Sequence, residues 1–182
     1  MSDTKPFTTT LFLTNADALD RVVRSAGAWS ADSPCAGWSA ADVLAHVVDT
    51  ERDFLTEHGV ALRARSTGDP GEVWADHLAD LRSVLSDPAT GEKAYDGWFG
   101  PTTVGDSLAR FYGFDLLVHR WDLARAWSRD EPFTDDELDQ LDAAIESFGP
   151  ALYSEGVCAP ALEAPPGADR QATLLARLGR QG

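Results

Sequence analysis

Apolar side chains recur at helical spacing along most of the chain. In the first such stretch, about residues 10–28, Leu13, Ala16 and Leu19 lie on one helical face. Similar spacing predicts further helices at about 40–58, 71–86, 104–127, 135–147 and 170–178. A short extended piece around 95–99 is the main strand signal. The pattern therefore predicts an all-α fold: an up-and-down four-helix bundle with long loops and a short C-terminal helix.

Polar residues mark where several of these helices begin. In a capping box, a Ser or Thr side chain and an acidic side chain three residues later satisfy the first backbone N–H groups of a helix. Its spacing occurs at Ser39 and Asp42, at Thr103 and Asp106, and at Thr134 and Glu137. Glycines and prolines break the pattern at 68–71 and 88–102. No internal repeat and no long linker divides the sequence, so we predict one domain over residues 1–182.

Composition narrows the class of partner. Thirty acidic residues against fifteen Lys and Arg give a net charge of −15, which repels nucleic acid and anionic lipid. No apolar run approaches the roughly 18 residues of a membrane span, and the N-terminus lacks the pattern of a secretory signal. We therefore expect a cytoplasmic protein, a monomer or homodimer, that acts on a small molecule or thiol without nucleic acid or membrane partners.

Ionisable side chains interrupt the apolar face of the 104–127 segment. At about 100° per residue, Asp115, His119 and Asp122 fall on the same arc as Leu108 and Phe111. Buried carboxylates and imidazoles must pair with each other or bind a metal. The spacing leaves two interpretations open. One is a structural Asp115–His119 pair that Asp122 orients, and the other is a metal site that an imidazole from another helix would complete.

Three other histidines are candidates for that additional ligand. His46 lies at the margin of the apolar arc of the second helix, so spacing alone favours a boundary position over a ligand. His58 lies closer to the centre of that arc, but a favourable interaction with the C-terminal end of the helix explains it better. His77 falls beside Asp76 and Asp80, and we predict that it lies at the surface.

The cysteines and the missing motifs limit the chemistry further. Cys35 precedes the second helix, where its thiol could be a metal ligand or a nucleophile. For Cys35 and Cys158 we favour small buried hydrophobes with free thiols. The chain has no Gly-rich phosphate loop, no Gly-x-Ser-x-Gly elbow and no Cys-x-x-Cys pair. These absences argue against nucleotide hydrolysis, serine-hydrolase chemistry and a thiolate zinc site.

Two helix motifs resemble a known family. Residues 35–48, CAGWSAADVLAHVV, are similar to the CPGWTVRDLVAHVV segment of the mycothiol-dependent maleylpyruvate isomerase N-terminal domains. Residues 114–124, FDLLVHRWDLA, resemble the ELLVHGWDLA segment of the same family. The segments 99–108 and 164–180 look like its actinobacterial metal-binding branch. The family belongs to the DinB/YfiT-like superfamily of metal-binding four-helix bundles, so the resemblance implies a DinB-like bundle.

The resemblance implies a divalent metal held by His46 and His119, usually zinc and sometimes nickel. The family's third ligand is a Glu four residues before the second His, and Asp115 takes that position here. Because its side chain is one methylene shorter, Asp115 would reach the metal from a closer backbone or through a water. Asp122 would hold a ligand imidazole in one tautomer.

The resemblance also implies mycothiol as a cosubstrate. A metal with open coordination positions lowers the pKa of a thiol or polarises a carbonyl. We therefore expect a mycothiol-dependent isomerase or a thiol S-transferase that acts on small molecules, with no catalytic residue assigned. The alternatives are a non-catalytic metal-binding or stress-response protein on the same bundle, and a structural domain in which Asp115 and His119 pair with each other.

Overall fold

Helices account for most of the chain. The computed structural model describes residues 9–154 and 157–181, in two compact units that divide after Arg129. The first unit contains α1 (Thr9–Val23), α2 (Ala40–Glu57), α3 (Pro70–Leu85), α4 (Pro88–Glu92), β1 (Ala94–Gly97), β2 (Gly100–Thr103), α5 (Val104–Ser107), a π turn (Leu108–Tyr112) and α6 (Gly113–Ala126). The second contains α7 (Asp135–Phe148), a 3-10 turn (Gly149–Tyr153) and α8 (Arg170–Arg177). The predicted all-α fold is confirmed, whereas one domain over 1–182 stays a prediction.

The first unit is a bundle of α1, α2, α3 and α6. Helix α6 packs against α1 and α2, and α3 also packs against both of them. Each of the four helices contributes a large side chain with almost no solvent exposure to the core: Phe12, Leu44, Trp74 and Leu116. Full burial of one such side chain contributes about 1.5–3 kcal/mol. The apolar arcs read from the sequence therefore meet in one shared core, as a bundle requires.

The helix ends follow local capping chemistry. At the start of α2, the Ser39 side chain accepts the N–H of Asp42, and the Asp42 side chain accepts the N–H of Ser39. Helix α1 ends at Val23 instead of near residue 28, so that prediction is wrong. The N–H groups of Ser25 and Ala26 bond to carbonyls three residues back, and the Ser25 hydroxyl donates to the Val22 carbonyl. These tight turns replace the helical pattern.

The predicted loop at 88–102 has structure of its own. It contains α4 and most of an antiparallel hairpin, in which Ala94 pairs with Thr103 and Gly97 with Gly100. Gly100 has a φ of +105°, a conformation that glycine adopts without strain. The extended piece around 95–99 is thus confirmed at β1, and the hairpin places Trp98 and Phe99 at its tip.

A π turn interrupts the helix that carries Asp115 and His119. Such a turn holds one residue more than an α-turn and therefore shifts the phase of the side chains that follow. Leu108 is buried, whereas Phe111 and Asp115, predicted on the same arc, are half-exposed. The buried Asn15 side chain of α1 donates to the carbonyl of Gly113 over 3.1 Å, which ties α1 to the start of α6 directly after the turn.

The second unit joins its two helices by ion pairs. Arg177 of α8 contacts Asp142 and Glu146 of α7, at 2.9 and 2.5 Å, and Arg170 contacts Asp139 at 2.7 Å. Helix α7 opens with the predicted capping box of Thr134 and Glu137. Across the described residues of both units, every helix is too short or too polar to cross a membrane.

Candidate metal centre

The three predicted metal ligands converge on one point. His46 projects from α2, and Asp115 and His119 project from successive turns of α6. His46 Nε2 lies 3.5 Å from Asp115 Oδ2, and His119 Nε2 lies 3.2 Å from Asp115 Oδ1. One donor atom from each of the three side chains lies within 4.8 Å of the other two. The helices thus bring together residues that stand about seventy positions apart in the sequence.

The donor set fits a divalent cation. Zinc bonds of about 2.0–2.1 Å in tetrahedral geometry place neighbouring donor atoms about 3.3 Å apart. The separations of Asp115 from the two imidazoles, 3.5 Å at Oδ2 and 3.2 Å at Oδ1, are each close to that spacing and involve the two different oxygens of the carboxylate. The carboxylate of the shorter Asp side chain therefore lies beside both imidazoles. Two imidazole nitrogens and one carboxylate oxygen suit zinc or nickel.

Asp122 fixes the orientation of the His119 ring. This carboxylate is fully buried, and its Oδ2 lies 2.9 Å from His119 Nδ1. When Nδ1 donates to Asp122, Nε2 is left to face Asp115 and His46. A carboxylate behind a histidine in this way is the usual partner of a metal-binding imidazole.

Cys35 extends this contact by one more group. Its half-buried thiol lies 3.3 Å from Asp122 Oδ2, so the carboxylate oxygen accepts from both the thiol and the imidazole. Cys35, His119 and Asp122 also form a second group whose ligand atoms lie within 4.8 Å of one another. The thiol is therefore part of the polar network behind the site, beyond the purely apolar role that the sequence favoured.

Charge in the site is balanced between His119 and Asp115. Burial alone would raise the pKa of Asp115, but the charge of His119 and hydrogen bonds from His119 and His46 outweigh it and hold that pKa well below its usual range. Burial opposes the charged form of His119, yet Asp115, Asp122 and Cys35 together raise its pKa well above the ordinary value. A cation in the site therefore competes with a proton on His119.

One side of the site is open to solvent. The side chains of His46 and Asp115 are each 29% exposed, whereas that of His119 is 7% exposed. The Trp38 ring lies beside this opening, with its centroid 5.0 Å from that of His46 and 6.5 Å from that of His119. A ligand that approaches from this side would contact the polar side chains of His46 and Asp115 and the aromatic ring of Trp38.

The tip of the hairpin contacts Phe111, which precedes Asp115 by four positions in the sequence. Phe99 stacks on Phe111 with ring centroids 6.0 Å apart, and the Arg110 guanidinium lies 5.4 Å from both rings. Trp98 beside it is 93% exposed. That Trp98 and Phe99 line the mouth of a pocket stays a prediction.

The rival histidine His58 is placed elsewhere. Its Nδ1 lies 2.8 Å from the carbonyl of Phe54 at the end of α2, and its ring lies 4.0 Å from that of Tyr95. Among the described residues, His58 joins no group of metal-ligating side chains. The interpretation of His58 as a group that interacts with the end of its helix agrees with this position.

The prediction of a surface position for His77 is wrong. His77 and Glu51 are each about 1% exposed, and His77 Nε2 lies 2.7 Å from Glu51 Oε2. The sequence did carry a signal, since His77 stands three residues after Trp74 and four before Leu81, on the apolar arc of α3. The neighbouring Asp76 and Asp80 obscure this signal in the sequence.

Comparison with protein-family models identifies the family of the chain. The family model for the mycothiol maleylpyruvate isomerase N-terminal domain matches residues 12–124, which include all three converging ligands and Asp122. Searches of curated proteins and of solved structures find no match. Since the family model covers more than half of the sequence, the chain belongs to this family.

Proposed function

We propose that this member of the mycothiol maleylpyruvate isomerase N-terminal domain family binds a divalent cation through His46, Asp115 and His119. We further propose that it uses the site as a mycothiol-dependent isomerase or thiol S-transferase on small molecules. The observation that carries the proposal is the convergence of the three donor atoms within 4.8 Å at a half-open position. Zinc is the proposed metal and nickel the alternative, because both accept this donor set.

The proposed reaction divides the work between the cation and the chain. When bound, the cation would supply Lewis-acid chemistry that favours the deprotonated form of a thiol or polarises a carbonyl. Asp122 holds His119 Nδ1, so that Nε2 keeps one direction. His46 and Asp115 form the exposed flank of the site. On this side a thiol would enter and its proton would pass to solvent. Trp38 offers apolar contact to the carbon skeleton of a substrate.

The net charge of −15 supports small molecules and thiols, as opposed to nucleic acid, as the proposed partners. We propose a cytoplasmic location, where low-molecular-weight thiols stay reduced, which agrees with two cysteines that lie outside any disulfide. We propose a monomer or a homodimer in solution.

The test begins with the metal content of untagged protein. We expect one zinc or nickel ion per chain by elemental analysis, and loss of that ion in His46→Ala. His58→Ala is the matched control, because it removes an imidazole from the same helix but outside the site. Protein without metal, or equal metal in His46→Ala and wild type, would contradict the proposed ligand set.

Turnover is tested separately. Metal-loaded protein is incubated with mycothiol and either maleylpyruvate or electrophilic thiol acceptors, and the products are followed by absorbance and mass spectrometry. We expect thiol-dependent product that His119→Ala abolishes. Metal binding without turnover with any thiol would favour a non-catalytic metal-binding protein instead.

A further inference from the structure

A polar cavity lies away from the candidate metal centre. Its volume is about 120 Å³, and it lies between α2, α3 and the segment that joins them. The polar side chains that line it include Arg52, Arg63, Arg65, Ser66, His77 and Asp80. None of the three converging metal ligands lines this cavity. We propose that it binds a small oxyanion, the carboxylate or phosphate group of a ligand.

Guanidinium groups give the cavity its binding chemistry. Arg52 and Arg63 both contact Asp80, with Arg52 Nη1 3.3 Å from Oδ2 and Arg63 Nε 2.5 Å from Oδ1. Two further bonds go to backbone carbonyls: Arg52 donates to that of Arg63, and Arg63 to that of Asp76. Each guanidinium carries five N–H donors, so these contacts leave others available. Arginine presents them in a planar fork that matches the oxygens of carboxylate and phosphate.

Two buried polar atoms in the cavity wall have no hydrogen-bond partner among the residues that the structure describes. They are His77 Nδ1 and Ser66 Oγ, both shielded from solvent. A buried polar atom without a partner is unfavourable, so a ligand or water that satisfies both atoms is favoured. The hydroxyl of Ser66 can donate to an oxyanion directly.

His77 is held in place from behind by Glu51. Its Nε2 bonds to Glu51 Oε2 over 2.7 Å, which leaves Nδ1 as the remaining polar atom of the ring. Burial raises the pKa of Glu51 against the opposing hydrogen bond and charge of His77. When a protonated Glu51 donates from Oε2 to Nε2, the neutral His77 ring carries its hydrogen on Nδ1, which is then a donor suited to an anion.

Acidic side chains near the cavity set a limit on affinity. Asp80 is already bound by two guanidinium groups, and Arg65 pairs with Asp49 at 2.5 Å. Asp76 also lines the cavity, and its charge is attracted to that of Arg63. An anion would therefore be repelled by Asp76, and removal of that charge should tighten binding.

The experiment titrates the full-length protein with inorganic phosphate and, separately, with malonate, at constant ionic strength set by sodium chloride. Binding is followed by the amide shifts of residues 63–66 and 77 in two-dimensional NMR. Arg63→Gln should weaken binding about tenfold or more, since a hydrogen bond to a charged group contributes about 1.5–3 kcal/mol. Ser66→Ala should weaken it by a smaller factor, and Asp76→Asn should strengthen it.

Two controls separate this site from other sources of anion binding. Arg82→Gln makes the same charge change on α3, at a residue that pairs with Asp17 outside the cavity, and should leave the affinity unchanged. His119→Ala should also bind phosphate as wild type does, whether or not the proposed metal function holds. The better of the two anions identifies the ligand class as phosphate or carboxylate.

The proposal is overturned by any of three results. One is a wild type that shows no saturable shift with either anion, in which case the cavity holds water only. Another is an equal loss in Arg63→Gln and Arg82→Gln, which indicates general charge attraction. The third is loss of binding in His119→Ala, which places the anion at the metal centre.

Discussion

The bundle contains two groups built from the same ingredients, a carboxylate and an imidazole, with opposite exposure. At the candidate metal centre, Asp115 lies 3.2 Å from His119 and is 29% exposed. In the core, Glu51 lies 2.7 Å from His77, and both are about 1% exposed. Residue type alone does not distinguish them. The number of converging donors and the access from solvent do.

Helix α2 contributes to both groups. Its His46 side chain lies next to the two donors of α6, Asp115 and His119. Its Glu51 side chain lies next to a single imidazole of α3, that of His77. In a carboxylate–imidazole pair without a third donor, the two side chains bind each other. Such a pair has a structural role, at the cost of burying an ionisable group. Three donors with an open side leave coordination positions for a ligand. The following changes separate these two roles.

The largest effect is expected at His119. His119→Ala should weaken zinc binding by more than about a thousandfold, because even the outer partner of a metal-binding histidine contributes about 10- to 100-fold. Competition with a chromophoric chelator measures this affinity. The core pair supplies the control: Glu51→Gln, if folded, should bind zinc like the wild type. A thousandfold loss in both variants would show that the two groups are one site.

A large loss of stability is expected at Glu51. Glu51→Ala leaves His77 buried without its partner and should lower the free energy of unfolding by about 3 kcal/mol. Urea denaturation of the metal-free protein measures it. Asp115→Ala, at a half-exposed position, should cost clearly less. Equal losses would mean that exposure does not separate the two groups.

An intermediate effect is expected at Asp122. Asp122→Asn keeps the shape of the side chain behind His119 but removes its charge, and should weaken zinc affinity about 10- to 100-fold. The same competition assay detects the change. Affinity equal to that of the wild type would show that the carboxylate serves packing alone.

The smallest effect is a dependence of stability on pH. Because burial raises the pKa of Glu51 above its unfolded value of about 4.3, its contribution to stability is present below that value. The contribution is lost as pH rises through the folded pKa. The stability of the wild type relative to Glu51→Gln should therefore fall as pH rises above about 4.3, as urea titrations at each pH can measure. A difference that stays constant with pH would contradict the raised pKa.

The bundle and part of the site could be predicted from the sequence, for physical reasons that differ by residue. Asp115, His119 and Asp122 share a helix, so spacing alone placed them together. His46 comes from another helix, and spacing gave it only a marginal position; the family motif supplied it. No local period reports which helices become neighbours.

Other features had weaker signals. The π turn at Leu108–Tyr112 has no distinctive residue pattern. Ideal α-helical spacing across this turn therefore predicts the wrong exposure for Phe111. The pairing of Glu51 with His77 depends on the contact between α2 and α3. The sequence of neither helix shows which helix will be its neighbour. The early end of α1 depends on a few turn hydrogen bonds near Ser25.

The position of Trp38 has a practical consequence. The centroid of its indole ring lies 5.0 Å from that of His46. The fluorescence of Trp38 should therefore respond to a metal ion bound by His46, Asp115 and His119. Open-shell ions such as nickel quench indole light at short range, whereas closed-shell zinc does not. The difference in fluorescence between the protein and Trp38→Phe therefore distinguishes the two metals in solution without any added dye.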